Sequence, residues 1–488
     1  MILFTRIFMA MSFSCLIGFF FHRAWGLEHG NDFSAQDRLY GRDRRDKIIQ
    51  IGFCPLILPI GFGIIFAGIV WKLGLTDGVS FFFRISIDLL LTMSIYYLAL
   101  LFLIPLLRRH ISARACAAAW LFPALLYYLG YNFTTIIPRA VIYCPKQLLS
   151  TLIPIWSGGF ILVFGASLLS HLHFRRKVMR AAREECDASV LQIWQEESEQ
   201  LGFKNPIRLV RYEHAKTPFS MGDSKRTRVT VLPPRPYTTK ELRLIFRHEL
   251  HHLQRNDADS KCFFSFLLAL FWFHPLMWLA LREAGRDIEL SCDEIVLETA
   301  DDDDRKLYAD LLLNTAGERH GFTTCMSADA SSLRYRLKNV MKKQRRPAGT
   351  LLLMVLLFTC LMFHGVLAVS DERMTLGEVF SVESVNYCLY QADDEFYRSD
   401  ADLTPENRAA LLSYLETLPI EHLNDGRYSV ASEQVPRLYF SSDETRQCIW
   451  LGDSSIVLCD LDRLDNAFSV VYYVREDVDW GKIEACFP

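Results

Sequence analysis

The chain has 488 residues, 51% hydrophobic and 22% charged, with a net charge of −3 and a positive mean hydropathy of +0.14. This composition excludes a wholly disordered chain, and the near-zero charge gives no general case for nucleic-acid binding. The balance hides an asymmetry, because residues 371–488 hold 9 basic and 24 acidic residues, a net −15, which leaves +12 on the remainder.

A helix crossing a bilayer needs about 20 mostly apolar residues. Such runs lie at 2–21, 48–71, 88–107, 115–131, 151–171 and 349–369. The first lacks a basic leader and a small-residue cleavage site, so it reads as a span rather than a signal peptide. Arg23, Arg38, Arg42, Arg44, Arg45 and Lys47 follow it, which makes that loop cytoplasmic and the amino terminus external. Counting onward, Arg108, Arg109 and Arg114, the segment from Arg175 to Arg183, and the Lys342–Arg346 cluster all fall on the same inner face. The acidic tail emerges outside. Arg84 and Asp88, four residues apart at the outer edge of the third span, read as an interfacial pair.

Between the fifth and sixth spans, Thr227–Pro233 alternates like a strand, either a central strand or an edge that could pair with a peptide. Thr238 and Glu241 have the form of a capping box. Leu242, Ile245, Phe246, Leu250 and Leu253 then recur at helical spacing. His248 and His252 on that helix are i and i+4, so both imidazoles leave one face. With Glu249 they form H-E-x-x-H, in which two histidines hold one zinc ion (Zn2+) while the glutamate reaches water. Glu289, 37 residues past His252, supplies a third ligand. Asp293, one turn beyond, is positioned to accept the second N–H of a ligand histidine. Cys292 reads as a buried small hydrophobe.

The apolar stretch 262–281 is long enough to mimic a span. Crossing would separate Glu289 from the histidines, so His274-Pro275 is expected to fold it into a buried or membrane-surface hairpin. The Asp301–Asp304 run reads as a solvated loop or helix start. In the tail, Thr404-Pro405 opens a helix to about Leu418, and short β-rich runs follow at 437–440, 448–451, 456–459 and 468–474. Cys388, Cys448, Cys459 and Cys486 allow two disulfides or none.

The runs His248–Asp257, Phe273–Trp278 and Glu289–Glu294, with Trp156, Gly158, Phe174–Lys177 and Thr217–Gly222, resemble the BlaR/MecR-type membrane metallopeptidases over about residues 79–370. The resemblance implies a cytoplasmic zinc peptidase with His248, His252 and Glu289 as ligands and Glu249 as general base. It also implies an external signal relayed to cleavage of a DNA-binding repressor. Two departures stand out. Residues 1–78 add apparent spans, and the tail contains no S-x-x-K and no K-T-G, so β-lactam sensing is not expected.

The expected architecture is a multi-pass α-helical membrane protein with an α+β, mainly helical, gluzincin-like zinc peptidase domain and a small α+β extracytoplasmic C-terminal domain. Its expected divisions are 1–78 with two spans, 79–172 with about three, the peptidase 173–346, a last span 347–370 and an acidic sensor-like domain 371–488. The expected partners are a cytoplasmic protein substrate such as a repressor, an unidentified external ligand and the lipid bilayer, with no direct nucleic acid and with a homodimer allowed. A quality-control or prenyl-protein-processing protease, or a non-catalytic receptor with a structural zinc, are the alternative readings.

Overall fold

The computed structural model describes residues 2–29, 57–122, 140–203, 207–221, 228–314, 324–325, 330–342, 346–364, 366–381, 384–392, 397–399, 403–423, 436–442, 447–452, 455–460 and 470–487. Its apolar helices are α1 (Ile2–Glu28), α2 (Ile57–Leu73), α3 (Leu75–Leu107), α5 (Lys146–Ala181) and α12 (Thr350–Phe363), with a short α4 (Ala113–Ala119) between α3 and α5. Three stretches, Arg6–Gly26, Leu89–Leu107 and Gln147–Ala181, are long and apolar enough to cross a membrane, whereas Ile60–Leu73 and Thr350–Phe363 are shorter. The expected span at 115–131 is described only in part. Its described part, 115–122, holds most of the seven-residue α4, capped by Ser112, and residues 123–131 lie outside the described set. The side chains of Arg84 and Asp88 lie outside it too, although their backbone belongs to α3.

The apolar helices define two ends. At one, Arg6 donates to the carbonyls of Leu361 (2.9 Å) and His364, and strand β1 (Ala140–Tyr143) pairs in parallel with β7 (Leu367–Thr375). At the other, Glu28 closing α1 meets Arg114 and Arg255, and Arg108 closing α3 meets Asp287. Among the described residues, Arg108, Arg114, Arg255 and Arg346 all meet acids at this second end.

Next to it lies a mixed α/β unit. A five-stranded sheet runs in the order β2 (Arg183–Glu184), β3 (Arg208–Arg211), β5 (Val229–Leu232), β4 (Phe219–Met221), β6 (Thr324–Cys325). Strand β5 is central and wholly buried, so the edge-strand alternative for residues 227–233 falls. A strand with four consecutive buried residues has no solvent face to offer at an edge. Around the sheet lie α6 (Ala188–Gln200), α7 (Thr239–Arg255), α8 (Asp257–Leu270), α9 (Pro275–Val296), α10 (Asp302–Asn314) and α11 (Ala330–Val340).

Helices α8 and α9 form the hairpin expected at 262–281. Phe263, Phe264, Phe266, Leu267 and Leu270 share one buried cluster with Phe82, Phe83 and Trp156 of α3 and α5. The Trp156 indole N–H donates to the Leu270 carbonyl (2.8 Å), and a Cβ at Gly159 would overlap the Trp272 ring at 2.1 Å. The His274 Nε2 is hydrogen-bonded to Ser94 Oγ at 3.0 Å. Ser94 stands 13 residues, about 20 Å of helix, from the basic end of α3. The hairpin therefore inserts among the apolar helices instead of lying over them, and Phe273, Trp278 and Leu279 on its tip remain exposed.

The remaining residues form a nine-stranded sheet, ordered β1-β7-β10-β14-β13-β12-β11-β8-β9. Its further strands are β8 (Tyr387–Gln391), β9 (Tyr397–Ser399), β10 (Pro419–Leu423), β11 (Arg437–Ser442), β12 (Gln447–Leu451), β13 (Ser455–Asp460) and β14 (Val470–Val474). Helix α14 (Pro405–Glu416), preceded by the single turn α13 (Leu376–Val379), and helix α15 (Trp480–Cys486) supply Leu411, Leu415 and Ile483 to a core with Leu438, Phe440 and Ile449. Cys388, Cys448 and Cys486 are free thiols. The Cys459 backbone faces Cys448 across β12 and β13, and its side chain lies outside the described set.

Candidate metal centre

Thr238 caps α7 with the reciprocal Glu241 contact the sequence suggested. Because the helix repeats every 3.6 residues, His248 and His252 stack one turn apart, and their Nε2 atoms come within 3.0 Å. Asn256 then takes φ 56° and ends the helix in the left-handed region, which an asparagine tolerates better than most residues. The reversal sends the chain into α8, and the hairpin returns α9 beside α7. Glu289 Oε2 consequently lies 3.7 Å from His248 Nε2 and 3.8 Å from His252 Nε2. These three groups can hold a metal ion, with ligand atoms mutually within 4.8 Å. Glu249 lies on α7 between the two histidines and, like them, is fully buried.

The surrounding contacts aim the ring nitrogens. Tyr308 of α10 donates its hydroxyl proton to Asp293 Oδ1 (2.7 Å). It is thus left to accept from His248 Nδ1–H at 2.8 Å. His252 Nδ1–H donates to Asp257 Oδ2 (2.7 Å). Each histidine spends Nδ1 on a protein acceptor and turns Nε2 toward Glu289, the tautomer that metal binding requires. Asp293 therefore reaches His248 chiefly through Tyr308, its own oxygen being 3.6 Å from Nδ1.

His252, Asp257 and Cys292 form a second close group. Its histidine atom is the Nδ1 already bonded to Asp257, so the group reads as support for the first site. Cys292 is fully buried as expected, 3.4 Å from that Nδ1.

Charges in this dry pocket oppose one another. Burial pushes His248 down to about 4. His252 is held well above its ordinary value: burial works against its charge, but Cys292, Glu289 and Asp257 outweigh it. Glu289 is held well below the usual carboxylate range. Burial opposes its charge as well, and Lys261 with the two histidines overcomes that opposition. Lys261 Nζ lies 3.2 Å from Oε1 and Arg336 of α11 lies 3.2 Å from Oε2, yet Oε2 makes no hydrogen bond within geometric limits. A buried carboxylate oxygen left so, facing two nitrogen lone-pair positions, suits a cation. The residues fit a divalent metal.

Sequence reasoning missed Asp257, Lys261, Tyr308 and Arg336. It also missed the tie to the apolar helices. Asp287, fully buried on α9, accepts from Arg108 (2.6 Å) and from the Trp120 indole (2.7 Å), and burial raises its pKa. A cavity of about 680 Å³ lies beside α9, lined by Asp293, Glu294, Arg305, Lys342 and Arg346 among others.

Residues 138–340 match the family described as BlaR1 peptidase M56. The chain is similar to the regulatory protein BlaR1 of Bacillus licheniformis, 24% identical over 191 residues, covering 39% of this chain and 32% of that protein. It is also similar to the regulatory protein BlaR1 of Staphylococcus aureus, 21% identical over 211 residues, 42% of this chain and 34% of that protein. The matched stretch thus spans about a third of the length of these relatives.

Proposed function

We propose that the chain, whose residues 138–340 match the BlaR1 peptidase M56 family and resemble the BlaR1 relatives, is a membrane zinc endopeptidase coupling an external signal to cleavage of a cytoplasmic protein. In this reading His248, His252 and Glu289 hold the zinc, Glu249 is the general base, and Asp293 orients His248. The observation that carries it is the buried convergence of two imidazole Nε2 atoms and one carboxylate oxygen from α7 and α9. Zinc–nitrogen bonds of about 2.0–2.1 Å in a tetrahedron leave two ligand nitrogens about 3.3 Å apart, against 3.0 Å here.

Zinc, when bound, supplies Lewis acidity toward a carbonyl oxygen and toward water. The chain's own residues do the rest. Glu249 takes a proton from the attacking water and delivers it to the leaving amine nitrogen. Asp257 and the Tyr308–Asp293 pair hold the two imidazoles so that neither rotates out of line. Lys261 and Arg336 keep Glu289 ionised.

The peptidase residues belong on the cytoplasmic face in this reading, with β7 onward outside. Support comes from Arg108, Arg114 and Arg346, which meet acids at one end of the apolar helices, and from the contacts of Glu28 and Arg108, which tie that same end to the helices of the metal centre. The substrate is a cytoplasmic protein, with a DNA-binding repressor as the leading candidate, and residues 371–488 receive the external ligand. The test is Glu249→Gln in the whole chain. It should keep its zinc while one cytoplasmic protein, followed by proteomics, ceases to be cleaved. Continued cleavage of every substrate by that variant would refute the mechanism.

A further inference from the structure

Among the groups around the site, Arg336 touches both Glu289 and Asp293 of α9 at once. It comes from α11, far along the chain, and is fully buried. Its Nε donates to Asp293 Oδ2 (2.7 Å) and its Nη2 to Asp293 Oδ1 (2.6 Å), a fork-on-fork pair. The remaining nitrogen, Nη1, lies 3.2 Å from Glu289 Oε2, the oxygen that faces both histidines. Asp293 Oδ1 in turn accepts from Tyr308, which holds His248. A planar guanidinium fixes direction as well as charge, which an ammonium on a flexible stem does not.

We propose that Arg336 is a positioning residue of the metal centre: a single guanidinium sets Glu289 directly and His248 through Asp293 and Tyr308. Two of the three ligands then take their geometry from α11. Helix α11 is also the last element before α12. Its exit is pinned by Arg305, whose Nη1 donates to the Val340 carbonyl (2.9 Å), and by Arg346, which pairs with Glu294 and Asn339. A displacement of α12 that reaches α11 therefore acts on the ligands at Arg336. The inference rests on the zinc-site reading above.

The bland alternative is that Arg336 merely neutralises a buried acid. Three variants of the full chain in detergent separate the two: Arg336→Met, Arg336→Lys, and Arg336→Met with Asp293→Asn. Each is stripped of metal, its thermal midpoint recorded, and its zinc affinity measured by chelator competition. Positioning predicts that Arg336→Met weakens zinc about 10–100-fold, the range for lost outer-sphere partners. Arg336→Lys should recover only part, since one ammonium meets one carboxylate. The double variant carries no orphaned Asp293 charge. It should regain the metal-free midpoint and still bind zinc weakly, and it keeps the test usable if Arg336→Met does not fold. Affinity in Arg336→Met within twofold of the parent would overturn the proposal, as would a double variant that regains affinity together with its midpoint. A parent chain that binds no zinc would instead refute the site on which the proposal rests.

Discussion

Tyr308→Phe isolates one oxygen. The ring is fully buried and phenylalanine fills the same space, so no cavity follows. Asp293 loses one donor but keeps both bonds to Arg336. His248 Nδ1 fares worse, because its 2.8 Å partner disappears and the nearest remaining acceptor, Asp293 Oδ1, is 3.6 Å away, beyond hydrogen-bond range. A buried group left unsatisfied costs about 1–3 kcal/mol, and for a unit of this size each kcal/mol moves the midpoint by about 2–4 °C. The metal-free midpoint should therefore fall by about 2–12 °C. With its tautomer and ring plane no longer fixed, His248 should lose metal affinity by about 10–100-fold. Chelator competition reads the affinity and circular dichroism the midpoint. A midpoint that falls while affinity stays within twofold would refute the relay and leave Tyr308 as packing alone.

The pH dependence of metal binding follows from His252. Its raised pKa means that zinc must displace a proton held on the ring, so affinity should rise with pH and weaken on acidification through the neutral range. Proton release measured by calorimetry in buffers of different ionisation enthalpy checks this, and no release at neutral pH would contradict it. Arg108→Met leaves the Asp287 carboxylate buried with only the Trp120 indole, and breaking such a pair costs about 3–5 kcal/mol. Adding Asp287→Asn should recover most of that loss in urea unfolding. An excised 173–346 fragment loses Arg108, Arg114, Trp120 and Glu28 and exposes the apolar face of the α8–α9 hairpin. It should aggregate, and a monomeric, zinc-loaded fragment would contradict that expectation.

The pairings of His248 with His252 and of Glu289 with Asp293 were legible because each rests on local i, i+4 spacing, which folding preserves, whereas the return of Glu289 to the histidines rested on the expected hairpin. Tyr308, Arg336 and Lys261 were not. Their roles arise where α8, α10 and α11 meet α7 and α9, and no period along the chain marks such a meeting. Asp257 was closer to hand, five residues past His252, but its role depends on the left-handed turn at Asn256, which reverses its direction. The apolar runs identified the membrane helices while misplacing some limits. Helix α3 begins at Leu75, well before the apolar run at 88, since a helix continues through polar residues that hydropathy counts against it. The 262–281 run was ambiguous for the opposite reason. Its composition matches a span, and only the need to return Glu289 to the histidines makes it a hairpin.

That hairpin joins the helices of the metal centre to the apolar helices. Glu289 sits two residues beyond Asp287, and Asp287 is fixed by Arg108 at the end of α3 and by Trp120 after α4. His252 leads through Asp257 into α8, whose phenylalanines pack on α3 and α5. Glu294, one residue past Asp293, is held by Arg346, four residues before α12. Glu289 and Asp293 therefore each have a near neighbour anchored at the basic end of an apolar helix, and Asp257 opens the helix that packs on α3 and α5. The basic residues on which the proposed orientation rests and those that fix the ligand helix are in part the same, Arg108 and Arg346 among them. In the proposed reading, movement of the apolar helices reaches a metal centre so anchored as a change in ligand geometry.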